Sequence, residues 1–139
     1  QRAAGGTPLL VKIAPDLSNE EIAKIAEMTV AIGLDGIIAT NTTLSREGLL
    51  TPRDKVDAIG AGGLSGRPLA TRSLEVLRTI RQHVPATMCV ISVGGVETAE
   101  DVMERLNAGA TLVQGYSAFV YHGPLWAKRI NAGLKKLRK

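Results

Sequence analysis

Short runs of consecutive apolar residues alternate along this chain with stretches in which apolar residues recur every three or four positions. The first run, Leu9 to Ile13, is followed by Ser18 to Ala31, where Ile22, Ile25, Ala26 and Thr29 share one helical face. Ser18 with Glu21 three residues later forms a capping box that starts this helix. Gly36 to Thr40 is followed, after a long connection, by Leu69 to His83, with Leu74, Leu77 and Ile80 at helical spacing. Met88 to Val93 leads to Thr98 to Asn107, and Thr111 to Gly115 leads to Leu125 to Leu137. Each short run is almost wholly apolar, the pattern of a strand covered on both faces.

This βαβα order predicts a parallel sheet with helices packed outside it. Two segments echo each other: Gly33-Leu34-Asp35-Gly36-Ile37-Ile38 and Gly109-Ala110-Thr111-Leu112-Val113 both close a helix at a glycine and then enter a strand. A left-handed glycine cap at the helix end explains the shared residue. Four βα units are half of a (β/α)8, or TIM, barrel, and they leave two sheet edges to be paired by a partner half. Leu44 to Pro68 breaks the rhythm. It follows a strand's C-terminal end, the end at which such barrels carry their chemistry, and long loops in compact domains are commonly functional.

Composition narrows the class. With 139 residues, 45% hydrophobic and 22% charged, the chain can bury a core, so it is expected to be one domain or a piece of one. Only 3% is aromatic against 15 glycines, which fits aliphatic strands with glycine turns better than an aromatic-packed sandwich. The single cysteine, Cys89, excludes an intrachain disulfide and reads as a buried packing residue in a reducing compartment. No apolar stretch approaches the roughly 20 residues of a membrane span, so the chain itself is expected to be soluble. Part of the +4 net charge lies in Lys135, Lys136, Arg138 and Lys139, where basic groups suit a helix end; no aromatic platform accompanies it, which argues against nucleic-acid binding. The chain opens at Gln1, without a methionine, and is expected to be a fragment.

Candidate chemistry lies at the strand ends, the positions that line a barrel's mouth. Lys12, inside Leu10-Val11-Lys12-Ile13, is either an edge lysine reaching water or a cation directed at an anion or an electron-accepting ring. Thr40-Asn41-Thr42-Thr43 places four hydrogen-bonding side chains beyond the second strand, as turn caps or as ligand contacts. Gly62-Gly63-Leu64-Ser65-Gly66, Val93-Gly94-Gly95-Val96 and Gly115-Tyr116-Ser117 each precede a helix, where backbone N–H groups could hold a phosphate. The last two would follow strands seven and eight of a full barrel, a common phosphate position. His83 and His122 read as a helix-end and a loop residue, and no metal-ligand spacing is present.

These blocks, taken in order, resemble the dihydroorotate dehydrogenase family. Val11-Lys12-Ile13-Ala14-Pro15-Asp16-Leu17, Thr40 to Thr43, Gly63-Leu64-Ser65-Gly66-Arg67-Pro68-Leu69, Val93 to Val96, and Val113-Gln114-Gly115-Tyr116-Ser117-Ala118 with Gly123-Pro124 carry the resemblance over nearly the whole chain. The Lys-Ile-Ala-Pro-Asp-Leu form and the Tyr-Ser-Ala ending look like the quinone-linked class. The resemblance implies the C-terminal half of an FMN-binding barrel, residues 1–139, with its N-terminal half supplied elsewhere. It implies Lys12 at the flavin's N1 and O2 edge, Thr40 against the flavin, and Asn41 and Thr42 on the pyrimidine of dihydroorotate or orotate. Gly66, Gly95, Tyr116 and Ser117 would bind FMN, the last three around its phosphate, with Ser65 and Gly94 as neighbours. Phe119 and Val120 resemble the wall of the quinone path.

The family's serine base belongs to the N-terminal half, as does the helical pair that touches the cytoplasmic face of the membrane. Ser45, Ser65, Ser73 and Ser92 do not match the base's motif, so no catalytic residue is assigned in this chain and the chain alone is expected to be inactive. The parent activity, oxidation of dihydroorotate with electrons passed to a quinone, would serve pyrimidine synthesis. Two rivals stand beside it: another FMN barrel oxidoreductase, and a non-catalytic phosphate-binding βα module.

Overall fold

The computed structural model describes residues 5–138. Among them, four strands form one parallel sheet in sequence order: β1 (Leu10–Ile13), β2 (Gly36–Ala39), β3 (Cys89–Val93) and β4 (Leu112–Gln114). The connecting helices are α1 (Asn19–Ala31), α2 (Arg53–Ile59), α3 (Ala70–His83), α4 (Ala99–Asn107), α5 (Ser117–His122) and α6 (Trp126–Leu137). A short 3-10 turn, Arg67–Leu69, leads into α3. The α/β class, the four βα units and the parallel pairing follow the sequence pattern.

Local chemistry fixes the helix ends. Ser18 caps α1 and Glu21 returns the bond to the Ser18 N–H, 2.8 Å away. Thr98 and Asp101 do the same for α4. Both α1 and α4 end in the paired backbone bonds that a left-handed glycine permits: Gly33 N–H to Val30 and Leu34 N–H to Thr29, then Gly109 N–H to Leu106 and Ala110 N–H to Arg105. The echo between the two segments is therefore a repeated helix stop that releases the chain straight into a strand.

One face of the sheet is closed. Ile13, Ile37, Ala39 and Val90 point at Ile22 and Ala26 of α1 and at Leu74, Val76, Leu77 and Ile80 of α3, forming the main core. Val96, Val102 and Ile130 make a second cluster between α4 and α6, joined by Trp126 and Leu134. The other face departs from the expected two-sided burial. Lys12 and Gln114 are exposed there and Leu112 is 56% exposed, because four strands do not curl far enough to cover their own concave side. Cys89 lies on this open side, paired in register with Gly36, and is half-buried rather than buried.

Two helices were not expected. α2 forms inside the long connection, burying Val56, and α5 starts immediately after Tyr116. Both are too short for a clear helical period, and α5 makes His122 a helix-end residue rather than a loop residue. His83 does end α3, where its Nδ1 lies 2.9 Å from Glu27. Lys135 and Lys136 occupy the last turn of α6 and Arg138 caps it; Lys139 lies outside the described residues. No helix among the described residues is long and apolar enough to cross a membrane.

Candidate active site at the strand ends

A cavity of about 580 Å³ opens where the four strands end. Lys12, Thr40, Asn41, Thr42, Ser65, Gly66, Gly94, Gly95, Tyr116 and Ser117 all line it, so the candidate flavin and substrate contacts meet the same space. They arrive from segments far apart in sequence. Parallel pairing puts all four C-terminal ends on one rim, and that topology is what gathers them.

Lys12 leaves β1 on the open face, in register with Ile38 of β2 and, across it, Ile91 of β3. It is exposed and has no ion-pair partner among the described residues. It is the one basic side chain lining the cavity, and Glu97 is the one acidic. Its positive charge is therefore available to a bound anion or to a ring that gains negative charge.

The Thr40 to Thr43 segment divides its labour. Thr40 is buried, and its N–H continues the sheet to Val93 O at 2.8 Å. The Asn41 N–H reaches Ile13 O at 2.7 Å, which holds the segment across the top of β1. Asn41 and Thr42 themselves stay exposed at the cavity. Thr43 has a different task. Its backbone pairs with Leu64 in both directions, and its hydroxyl donates to Asp16, which also accepts the Leu44 N–H at 3.2 Å. Of four polar residues in a row, the last is a structural tie between two loops.

The glycine segments form a collar. Ser65 Oγ and Ser117 Oγ lie 2.8 Å apart, joining the long connection after α2 to the first residue of α5, 52 residues distant in sequence. Gly94 and Gly95 have φ values of +126° and +69°, and a Cβ on Gly95 would come within 2.6 Å of the Ala70 backbone. Two requirements thus fall on Gly95: a left-handed conformation and close approach to the start of α3. Gly115 is required for a third reason, since a side chain there would enter the Trp126 ring. Tyr116 is 74% exposed beside the cavity, whereas Phe119 and Val120 are exposed on α5 and do not line it.

The sequence reading missed the groups that hold this collar in place. Arg72 donates to Pro15 O at 3.0 Å and to Leu17 O at 2.6 Å, tying the β1–α1 loop to α3. Arg105 is buried against Ser73, Ser92, Ala70 O and Gly94 O. Burial pulls its pKa below the usual arginine value, with Glu104 and Asp101 opposing. Asp101 collects the N–H groups of Glu97 and Thr98 and faces Arg67. Burial alone would raise its pKa, but those two N–H bonds and Arg67 together hold it below the ordinary carboxylate value. One signal was legible: Arg105 is a charged residue within the apolar face of α4, between Val102 and Leu106.

Comparison with known proteins then decides the family. The family described as Dihydroorotate dehydrogenase matches residues 1–137. The chain belongs to the dihydroorotate dehydrogenase family. Relatives named dihydroorotate dehydrogenase (quinone) include that of Clavibacter michiganensis subsp. michiganensis, 65% identical over 137 residues, covering 99% of this chain and 40% of the relative. That of Leifsonia xyli subsp. xyli is 65% identical over 136 residues, covering 98% of this chain and 40% of its own length. The chain thus spans about 40% of the length of these relatives. Among solved structures, DHODH from Eimeria tenella in complex with ferulenol superposes with a TM-score of 0.85 at 39% identity, covering 94% of this chain and 34% of that one. The ligand-free form gives 0.84 at 40% identity, covering 93% and 35%. In a dihydroorotate dehydrogenase family member, four parallel βα units of this kind are part of a TIM barrel. The two rival readings, a different FMN barrel and a non-catalytic module, are not favoured by these relatives.

Proposed function

We propose that this chain is the C-terminal half-barrel of a quinone-linked dihydroorotate dehydrogenase, which oxidises dihydroorotate to orotate in pyrimidine synthesis. The observation that carries the reading is the convergence of one unpaired lysine, an amide–hydroxyl pair and a glycine–serine collar on a single cavity. The donor set fits FMN. Lys12 offers a cation for the ring's N1 and O2 edge, Thr40 a contact beside it, and Gly66, Gly95, Tyr116 and Ser117, with Ser65 and Gly94, surround the phosphate position. Gly95 packs directly on the Ala70 backbone, which holds the Gly94–Gly95 turn at the edge of the cavity and leaves no room for a side chain.

FMN, when bound, supplies the acceptor for the two electrons of the oxidation. The chain's own residues bind and orient. Asn41 presents an amide and Thr42 a hydroxyl, which suit the alternating N–H and carbonyl groups of a pyrimidine dione. The Lys12 charge favours whichever state of the bound ring is more negative. The proton-abstracting serine lies, on this reading, in the N-terminal half, which also pairs the free edges of β1 and β4. The parent enzyme would sit at the cytoplasmic face of a membrane, where it meets the quinone through its N-terminal region and through the wall that Phe119 and Val120 begin.

The test uses the full-length enzyme. It should purify yellow, bleach when dihydroorotate is added without oxygen, and regain colour with a quinone. Gly95→Val should purify largely without flavin. A colourless parent protein, or stoichiometric FMN in Gly95→Val, would overturn the corresponding assignment.

A further inference from the structure

Arg105 is the one charged side chain buried among the described residues, at 3% exposure. Placing a guanidinium in a core is costly, and an apolar residue of similar volume often serves stability as well or better. Yet no carboxylate forms an ion pair with it among the described residues. Its donors go to uncharged oxygens: Ser73 Oγ at 2.9 Å, Ser92 Oγ at 3.1 Å, Ala70 O at 2.8 Å and Gly94 O at 3.0 Å. The Ser73 hydroxyl adds its own bond to Gly94 O at 2.8 Å, so that carbonyl receives two donors.

The Gly94 carbonyl and the Gly95 N–H belong to one planar peptide and point in opposite directions. Anchoring the oxygen on Arg105 and Ser73 aims the N–H away from them, and both Gly94 and Gly95 line the cavity. Two donors on the oxygen also strengthen the N–H at the other end of the same peptide. We propose that Arg105 is a positioning residue that orients and polarises the Gly95 N–H for the phosphate of the bound flavin, an inference that rests on the FMN reading above.

Arg81 supplies the control. It also binds loop oxygens, Gly109 O at 2.6 Å and Met88 O at 2.9 Å, but at the opposite end of the sheet and away from the cavity. Burial lowers its pKa as it does that of Arg105. A role in holding elements together is therefore common to both arginines, and contact with the phosphate loop is particular to Arg105.

The experiment strips flavin from the full-length enzyme and titrates it with FMN and with riboflavin, which lacks the phosphate. Arg105→Met, which keeps an unbranched stem and removes every donor, should lower the FMN-to-riboflavin affinity ratio roughly tenfold, the scale of one charge-assisted hydrogen bond. Arg105→Lys should restore most of the ratio. Arg81→Met should lower the melting temperature and leave the ratio unchanged. Should Arg105→Met fail to fold, Ser73→Ala, which removes one of the two donors to Gly94 O, should lower the ratio about threefold. An unchanged ratio in Arg105→Met, or in Ser73→Ala in its place, overturns the inference, as does an equal loss in Arg81→Met. A wild-type enzyme that binds riboflavin as tightly as FMN removes instead the phosphate reading beneath it.

Discussion

The two faces of the sheet are built from the same strands and do opposite things. On the helix-covered face, Ile37 and Val90 meet Ile22, Leu77 and Ile80 with no surface left exposed. One residue along each strand, the side chains turn to the open face, where Lys12 and Gln114 reach the cavity and Leu112 is more than half exposed. The covered face completes its packing within this chain. On the proposed half-barrel reading other strands cover the open face, so stability and chemistry are separated by a single step of strand alternation.

Supplying the missing cover has the largest expected effect. The chain alone should turn over no dihydroorotate, and should gain activity when refolded with the N-terminal part of the enzyme. General-base catalysis is worth roughly 10² to 10⁴ in rate and positioning can add more, so nothing above background should remain without them. Dye reduction by each piece and by the two together checks this. Turnover by this chain alone would place the base within it.

The next two substitutions set one face against the other in the full-length enzyme. Leu77→Ala should cost roughly 2–5 kcal/mol in denaturant unfolding and leave the rate of flavin reduction nearly unchanged. Lys12→Ala should do the reverse, slowing reduction by dihydroorotate at least about tenfold, on the order of 2–4 kcal/mol in the barrier, with stability nearly intact. Stopped-flow traces with matched unfolding curves read both quantities. A Lys12 variant that loses stability and not rate would erase the distinction between the faces.

The smallest effect comes from the rim. Asp101→Asn should destabilise by about 1 kcal/mol at neutral pH, the ordinary value of a helix cap. The folded pKa of Asp101 lies below its unfolded value, so its stabilising effect is full above about pH 4 and fades as pH falls through the folded pKa. The gap between parent and variant should therefore close in acid, which unfolding curves at several pH values would show. A gap that persists at low pH would mean that the carboxylate is not the stabilising group.

How far the sequence reveals this molecule depends on whether a signal is local. Ser18 with Glu21, and Gly33 and Gly109 at the helix ends, carry their meaning within a few residues, so element order and parallel pairing could be read directly. Most candidate residues were legible because they sit at or just beyond a strand end, and Ser65 and Gly66, in the long connection after α2, because of the glycine-rich block that holds them. The division of work inside Thr40 to Thr43 was not, since it depends on Asp16 and Leu64, which only the fold brings near. Arg105 shows the same limit. Its position on the apolar face of α4 is visible in the sequence, but its partners come from α3, β3 and the Gly94 loop.

The backbone pairing between Thr43 and Leu64 brings the two ends of the intervening excursion together at a single neck. Residues 44–63, with Leu50 fully exposed near the middle, therefore leave and rejoin the barrel at one place. Doubling such a loop costs only about 0.6 kcal/mol in closure entropy. The outer part of the segment can therefore lengthen at little cost to the strands beneath it, whereas Gly63 at its neck lines the cavity and has no room for a side chain beside Thr42.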